Sequence, residues 1–166
     1  QMLKDEVALS KEKMRKINLK LVVKSVVDDF NSIYEAKRGI QIILSDSNNL
    51  EEYVINGIEN RIEQIIANLL DNSISFSEDN KKILVQISKN KNQKVILKVI
   101  DEGKGFKEKI TNKIFDRFYS NRPDSFGEHS GLGLNIVKNL VDLHGATINA
   151  SNNVIKKGAN IEIVFP

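Results

Sequence analysis

The sequence contains no cysteine, which excludes disulfides, thiol nucleophiles and cysteine-based zinc sites. No apolar run approaches the roughly 18 residues that a membrane-spanning helix needs, and no signal-peptide pattern opens the chain. The net charge is only +3 and no aromatic residues are interleaved among the lysines, so we expect no nucleic-acid binding and no membrane contact by these residues. Arginine is scarce, and two of the five, Arg117 and Arg122, lie within residues 101–134.

The patterning of apolar residues predicts a single α+β domain, because 166 residues can bury roughly 70% of the surface that the unfolded chain exposes. Three- and four-residue spacing predicts helices over residues 18–30, 58–74 and 134–143, with Asn18 as an N-cap and with Gly39 and His144-Gly145 as helix ends. Residues 1–17 are charged and permit a helix. Short apolar runs predict strands over residues 40–44, 53–55, 83–87, 95–100, 146–150 and 161–165. Helices and strands are interleaved without strict alternation, which favours a layered sheet with the helices on one face.

Residues 101–134 have the pattern of a nucleotide pocket. Asp101-Glu-Gly-Lys-Gly-Phe106 follows a predicted strand, and His129-Ser-Gly-Leu-Gly-Leu134 leads into a predicted helix. Glycine lets backbone N–H groups approach a phosphate closely, and a helix N-terminus favours negative charge. We therefore expect a carboxylate and two glycine-rich turns to face a nucleotide.

The helix predicted over residues 58–74 carries a second polar signal. Gln64, Asn68 and Asn72 lie one turn apart beside its apolar stripe. Asparagine is a poor helix former, so two of them in such a helix need a reason. Two alternatives stay open: a solvent-facing helix edge, or a pair of neutral oxygen ligands that face a cleft.

The order of these motifs resembles the catalytic ATP-binding domain of two-component sensor histidine kinases. Ile66-Ala-Asn-Leu-Leu-Asp-Asn72 resembles the N box, Asp101-Glu-Gly-Lys-Gly105 the first glycine box, Phe115-Asp-Arg-Phe118 the F box, and Ser130-Gly-Leu-Gly-Leu134 the second glycine box. Residues 71–77 and 128–134 further resemble the envelope- and acid-sensing kinases of the ChvG/ExoS type. The resemblance implies the Bergerat fold, a two-layer sandwich of a mixed β-sheet with helices on one face.

The resemblance also implies the roles of the site residues. Asp101 would accept a hydrogen bond from the adenine amino group, since a carboxylate only accepts. Guanine has an acceptor at that position and would be rejected. The other residues implied to bind ATP are Gly103, Gly105, Phe106, Asn68, Ser130, Gly131, Leu132, Gly133 and Leu134.

Asn72 would hold Mg²⁺ through its amide oxygen, because magnesium prefers hard oxygen ligands. Asn68 replaces the glutamate that activates water in ATP-hydrolysing relatives, so the site would protect the γ-phosphate from water. Asn68, Asn72, Arg117 and Arg122 are the candidate catalytic residues. The two arginines would contact phosphate or dock a partner, within or beside a lid over residues 119–130.

Three residue choices depart from the family pattern. His129 replaces the first glycine of the second box, Ser75 replaces a lysine expected three residues after Asn72, and the short lid contains Pro123. No His-Glu-x-x-Thr-Pro acceptor motif is present, and His144 reads as a structural residue at a helix C-terminus. Residues 1–17 would then be the end of a preceding dimerisation helix or a linker, and residues 18–166 the catalytic domain.

The expected partners are the dimerisation helices of the same full-length kinase and the receiver domain of a response regulator. The expected location is the cytoplasmic part of a membrane-anchored sensor. Two other functions stay open at this point: an ATPase of the gyrase or heat-shock chaperone type, which Asn68 and the F box argue against, and a non-catalytic nucleotide-binding or docking module.

Overall fold

The computed structural model describes residues 12–46, 52–106, 112–116, 132–153 and 157–166. These contain the helices α1 (Leu19–Arg38), α2 (Glu59–Ser75) and α3 (Leu132–Leu143), and a short 3₁₀ helix over Asn112–Phe115. The strands are β1 (Arg15–Asn18), β2 (Gln41–Asp46), β3 (Val54–Gly57), β4 (Lys82–Lys89), β5 (Val95–Asp101), β6 (Thr147–Asn152) and β7 (Ala159–Val164). No helix in the described ranges is long and apolar enough to cross a membrane.

Five strands form one mixed sheet in the order β2-β4-β5-β7-β6. The pair β2–β4 is parallel, and its crossover connection contains β3 and α2. The pairs β4–β5, β5–β7 and β6–β7 are antiparallel. The predicted strands over residues 83–87 and 95–100 thus form an antiparallel hairpin that leads into Asp101, with Ile83 opposite Asp101 and Lys89 opposite Val95.

One face of this sheet is buried against the helices. In β5, Val95, Leu97, Val99 and Asp101 are buried, while the residues between them are partly exposed. β7 and β6 continue the same face, because Ile161 lies opposite Val99 and Ala150. α1 packs on β2, α2 on β5 and α3 on β6, so the helices form a second layer. The predicted fold class, a mixed sheet with helices on one face, is confirmed.

The described part of the N-terminal region differs from its prediction. Residues 15–17 were expected in a helix, but Arg15–Asn18 is a strand that pairs antiparallel with β3, with Ile17 opposite Ile55. Both isoleucines are buried. The charged sequence permitted either structure, and pairing with β3 decided it, as is usual for strands. β3 was predicted over residues 53–55 and extends to Gly57, because Asn56 and Gly57 also pair with β1. The division between residues 1–17 and 18–166 stays a prediction.

The boundaries of α1 follow the prediction at both ends. Asn18 occupies the N-cap position, although its side chain makes no capping hydrogen bond. Instead, the backbone N–H of Leu19 donates to the carbonyl oxygen of Tyr53 at 2.8 Å. Gly39 ends the helix with a left-handed φ of 67°, and its N–H donates to Glu35.

Candidate nucleotide site

Asp101 ends β5 on the buried face of the sheet, and its side chain holds two distant segments together. Its Oδ1 atom accepts hydrogen bonds from the backbone N–H of Gly103 and of Ala159, each at 3.0 Å. Asp101 is only 2% exposed. A buried carboxylate needs hydrogen bonds of this kind, and two backbone donors on Oδ1 hold that oxygen in place. Asp101 is therefore a rigid acceptor at the end of a central strand.

The loop that follows Asp101 is fixed by β6. The side-chain amide of Asn152 accepts a hydrogen bond from the Phe106 N–H at 2.6 Å and donates one to the Phe106 carbonyl oxygen at 3.1 Å. Gly105 has a φ of 78°, and a Cβ atom there would lie 2.6 Å from Asn152 Oδ1. Phe106 is buried in the core. The first glycine-rich turn is therefore clamped at its end and has no room for a side chain at Gly105.

Gly158 makes the closest approach to this turn. Its φ is 149°, and an added Cβ atom would lie 1.9 Å from the Asp101 carbonyl oxygen. The turn before β7 therefore packs closely on the backbone of Asp101. This packing places the Ala159 N–H where it donates a hydrogen bond to the Asp101 carboxylate. No motif of the sequence connects Gly158 with the site.

α2 carries the predicted amide stripe. Asn72 is 8% exposed, while Asn68 and Gln64 are partly buried. The solvent-facing alternative therefore does not apply to Asn72. α2 packs against β5, which ends in Asp101, and against α3, which begins in the second glycine box. The structure thus brings the helix of the N box between the elements of the two glycine boxes.

His144 fixes the N-terminal end of α2. Its Nε2 atom accepts a hydrogen bond from the Ile58 N–H at 3.1 Å, and its Nδ1 atom lies 2.7 Å from the carbonyl oxygen of Leu140. Nδ1 must therefore carry the proton in this arrangement. His144 is only 5% exposed. Its interpretation as a structural residue agrees with this geometry.

Arg38 fixes the C-terminal end of α2. Its guanidinium donates to the carbonyl oxygens of Ile74 and Ser77 at 2.8 and 2.6 Å and to the carboxylate of Asp79 at 2.7 Å. The last carbonyls of a helix have no partner within the helix, so a side-chain cation there satisfies them. Arg38 was not among the predicted site residues. Nothing in the local pattern shows that it contacts a helix 36 residues away.

The described part of the second glycine box begins α3. The helix starts at Leu132, and a Cβ atom added to Gly133 would meet nothing within 4 Å. Leu134 is buried in the core. Asn135 donates to the carbonyl oxygen of Phe115 at 3.2 Å, which joins α3 to the F box. Phe115 is itself buried in the core.

Several predicted site residues lie outside the described residues. These are Arg117, Arg122, Ser130 and Gly131, together with Phe118, His129 and the predicted lid. Their roles stay predictions.

The described residues fit a nucleotide with a bound Mg²⁺ ion. The acceptor of Asp101 is buried and held in place, as a site for a base requires. Asn72 offers one hard oxygen from a buried helix face, and Mg²⁺ in proteins usually combines few protein ligands with phosphates and waters. Gly133 leaves open space at the start of α3, where a helix N-terminus attracts phosphate.

Comparison with known proteins gives a consistent result. A family model described as "Histidine kinase-, DNA gyrase B-, and HSP90-like ATPase" matches residues 57–166. The chain is 36% identical over 148 residues to the sensor protein ChvG of Agrobacterium fabrum. The aligned region covers 86% of this chain and 25% of ChvG. It is 32% identical over 156 residues to ChvG of Rhizobium meliloti, and that aligned region covers 90% of this chain and 27% of the relative. It thus spans about a quarter of the length of these curated relatives.

A solved structure shows the same fold over the whole domain. The catalytic domain of histidine kinase ThkA superposes with a TM-score of 0.75 at 25% identity, covering 93% of this chain and 96% of the ThkA domain. The predicted resemblance of the chain to sensor histidine kinases, and to those of the ChvG type among them, is confirmed by these matches. The chain therefore belongs to the histidine kinase-, DNA gyrase B- and HSP90-like ATPase family, and within that family its relatives are sensor histidine kinases.

Proposed function

We propose that this domain binds Mg·ATP and transfers the γ-phosphoryl group to a histidine on a separate pair of dimerisation helices, for relay to the receiver domain of a response regulator. The rigid acceptor of Asp101 at the end of β5 is the single observation that carries the proposal. The relatives support the kinase assignment over an ATPase of the gyrase or chaperone type, because they are sensor kinases. We place the domain in the cytoplasmic part of a membrane-anchored sensor.

Asp101 would select adenine. The Gly103 and Ala159 N–H groups hold one carboxylate oxygen, and the other would accept from the adenine amino group. A site that hydrogen-bonds one polar group of its ligand can prefer that ligand by roughly 10⁴-fold over one that leaves the site's polar group without a partner. Gly103, Gly105 and Phe106 would line the base and ribose, and the start of α3, including Gly133 and Leu134, would receive the phosphates.

Asn72 and Asn68 would act at the phosphate end. Bound Mg·ATP supplies the phosphoryl group and the metal charge that neutralises it, and Asn72 would hold the metal through its amide oxygen. An amide cannot act as a general base, so Asn68 would orient polar groups without activating water. Phosphoryl transfer asks mainly for positioning and charge stabilisation, which these residues and the arginines Arg117 and Arg122 would provide.

The acceptor histidine would come from outside the described residues. Both ring nitrogens of His144 are engaged and the residue is buried, so the γ-phosphate could not reach it without breaking the contact with Ile58. In the proposed transfer, an imidazole nitrogen of the acceptor bonds to the γ-phosphorus, the bond to the bridging oxygen breaks, and ADP leaves while the imidazole loses a proton to solvent.

The proposal predicts the labelling pattern of the isolated domain. With γ-phosphate-labelled ATP and Mg²⁺, the domain alone should bind nucleotide and acquire no label. Adding the dimerisation helices of its parent kinase should produce a phosphoramidate label on those helices that is acid-labile and base-stable. The reaction between separate molecules should be slow, because it lacks the roughly millimolar effective concentration that a tether supplies.

Three results would contradict this proposal. Self-labelling that His129→Ala abolishes would place the acceptor in this domain. Steady ATP hydrolysis by the isolated domain would favour the ATPase alternative. Absence of Mg²⁺-dependent ATP binding would favour a non-catalytic module.

A further inference from the structure

Asn152 occupies an unusual place in the site. It ends β6, the edge strand of the sheet, and is itself exposed, yet its amide makes both a donor and an acceptor contact with the backbone of Phe106. The two residues are 46 positions apart. An asparagine amide has the same donor and acceptor pair as a backbone peptide, so it can pair with one residue as a neighbouring strand would.

The contact lies at the point where the first glycine box leaves the sheet. Asp101 is fixed by the Ala159 N–H at the start of the loop, and Phe106 is fixed by Asn152 at its end. The glycines and Lys104 lie between these two anchors. Gly105, with its φ of 78°, is held in a conformation that its own sequence does not enforce, because glycine populates both signs of φ readily.

We propose that Asn152 is a positioning residue for the base end of the nucleotide site. It keeps the loop over residues 102–106 in the conformation that receives adenine and ribose, and it touches the loop rather than the nucleotide. The inference rests on the proposed function, since it assumes that Asp101 faces the base. Without the bonds between Asn152 and Phe106, the loop adopts the binding conformation in a smaller fraction of molecules. The apparent dissociation constant for the nucleotide rises by the inverse of that fraction.

The test uses Asn152→Ala in the whole domain, with Asn149→Ala as the matched control. Asn149 is an exposed asparagine on the same strand. Affinities for adenosine, ADP and Mg·ATP are measured by calorimetry, with thermal unfolding recorded for each variant. Two neutral hydrogen bonds are lost, so binding should weaken roughly tenfold. The factor should be equal for the three ligands and independent of Mg²⁺, because the effect arises at the base end.

A second variant, Asn152→Asp, keeps the inference testable if the alanine variant does not fold. The aspartate has the same shape and still accepts from the Phe106 N–H, but it sets a carboxylate oxygen against the Phe106 carbonyl oxygen. It should weaken adenosine binding to a similar extent, while Asn149→Ala binds as wild type does.

The outcomes separate the inference from the proposed function. If the wild-type domain binds no adenine nucleotide, the proposed function fails and the inference with it. If wild type binds and the Asn152 variants bind adenosine equally well, the inference is wrong and the proposed function stands. A loss of affinity for Mg·ATP alone would also overturn the inference, because Asn152 would then act at the phosphate end of the site.

Discussion

The base end and the metal end of the proposed site are built in different ways. The base end is a loop of a few residues that is held by partners far along the chain: Ala159 and Asn152 bond to it, and Gly158 packs against it. The metal end is a face of one helix, where Asn68 and Asn72 keep their spacing because helical geometry fixes residues four apart on one side. Both ends of that helix also bond to distant residues, His144 at the start and Arg38 at the end.

This difference predicts how a substitution at each end affects nucleotide binding. A helix that keeps its own hydrogen bonds tolerates the loss of one exposed or ligand-facing side chain. A substitution at the metal end should therefore leave the rest of the site unchanged. The base loop is bonded at its start by β7 and at its end by β6, so each lost contact from these strands should change its shape. Substitutions at the base end should therefore alter all nucleotide binding, and substitutions at the metal end should alter only the part that depends on Mg²⁺.

The largest expected effect is that of Asp101→Asn. The Gly103 and Ala159 N–H groups should keep the amide oxygen where Oδ1 now lies, which turns the NH₂ group toward the base. Two donors would then face each other, and ATP binding should weaken by at least about 100-fold, since a buried polar group is left unsatisfied. Guanine has an acceptor there, so the ratio of ATP to GTP affinity should also fall.

Competition binding with a fluorescent ATP analogue, together with circular dichroism, measures this effect. The variant should remain folded. Retained ATP affinity in a folded variant would mean that the adenine contact lies elsewhere.

Gly158→Ala should have the next largest effect, on stability. Its Cβ would collide with the Asp101 carbonyl oxygen, and φ at this position is 149°, which L residues rarely adopt. Backbone strain and overpacking together should cost about 3 kcal/mol of unfolding free energy. Urea unfolding measures this value.

Gly133→Ala is the matched glycine control. A Cβ atom there meets nothing within 4 Å, and alanine is favoured over glycine in a helix by about 1 kcal/mol. This variant should therefore be as stable as wild type or more so, while its phosphate binding weakens because the backbone can no longer be approached closely. Equal destabilisation of both variants would refute the distinction between the two glycines.

Asn72→Ala should have the smallest and most selective effect. Removal of one metal ligand should weaken Mg·ATP binding roughly tenfold and leave binding of metal-free ATP and of adenosine nearly unchanged. Calorimetric titrations with Mg²⁺ and with chelator compare the two cases. Gln64→Ala, two turns earlier on the same helix stripe, is the control and should bind both forms as wild type does. Equal losses with and without Mg²⁺ would assign Asn72 a structural role.

The regular elements and part of the site could be predicted because their signals are local. Apolar spacing located α1, α2 and most of α3, and the short apolar run of β5 placed Asp101 directly after a strand. The amide stripe was visible because four-residue spacing is itself the geometry of one helix face. Residues 15–17 were mispredicted as helix, since a short charged segment takes its structure from the strand with which it pairs.

The sequence by itself determined the chemistry of the site: an acceptor before a glycine turn, two amides on one helix face, and a glycine-rich helix start. Those features are set by residue type and by spacing within a few positions. The tertiary structure alone decided which residues hold them in place. Arg38, Asn152 and Ala159 bond to partners 36, 46 and 58 positions away, through contacts made after the sheet and helices have packed. No local preference encodes such pairs, because each depends on where two separate segments meet.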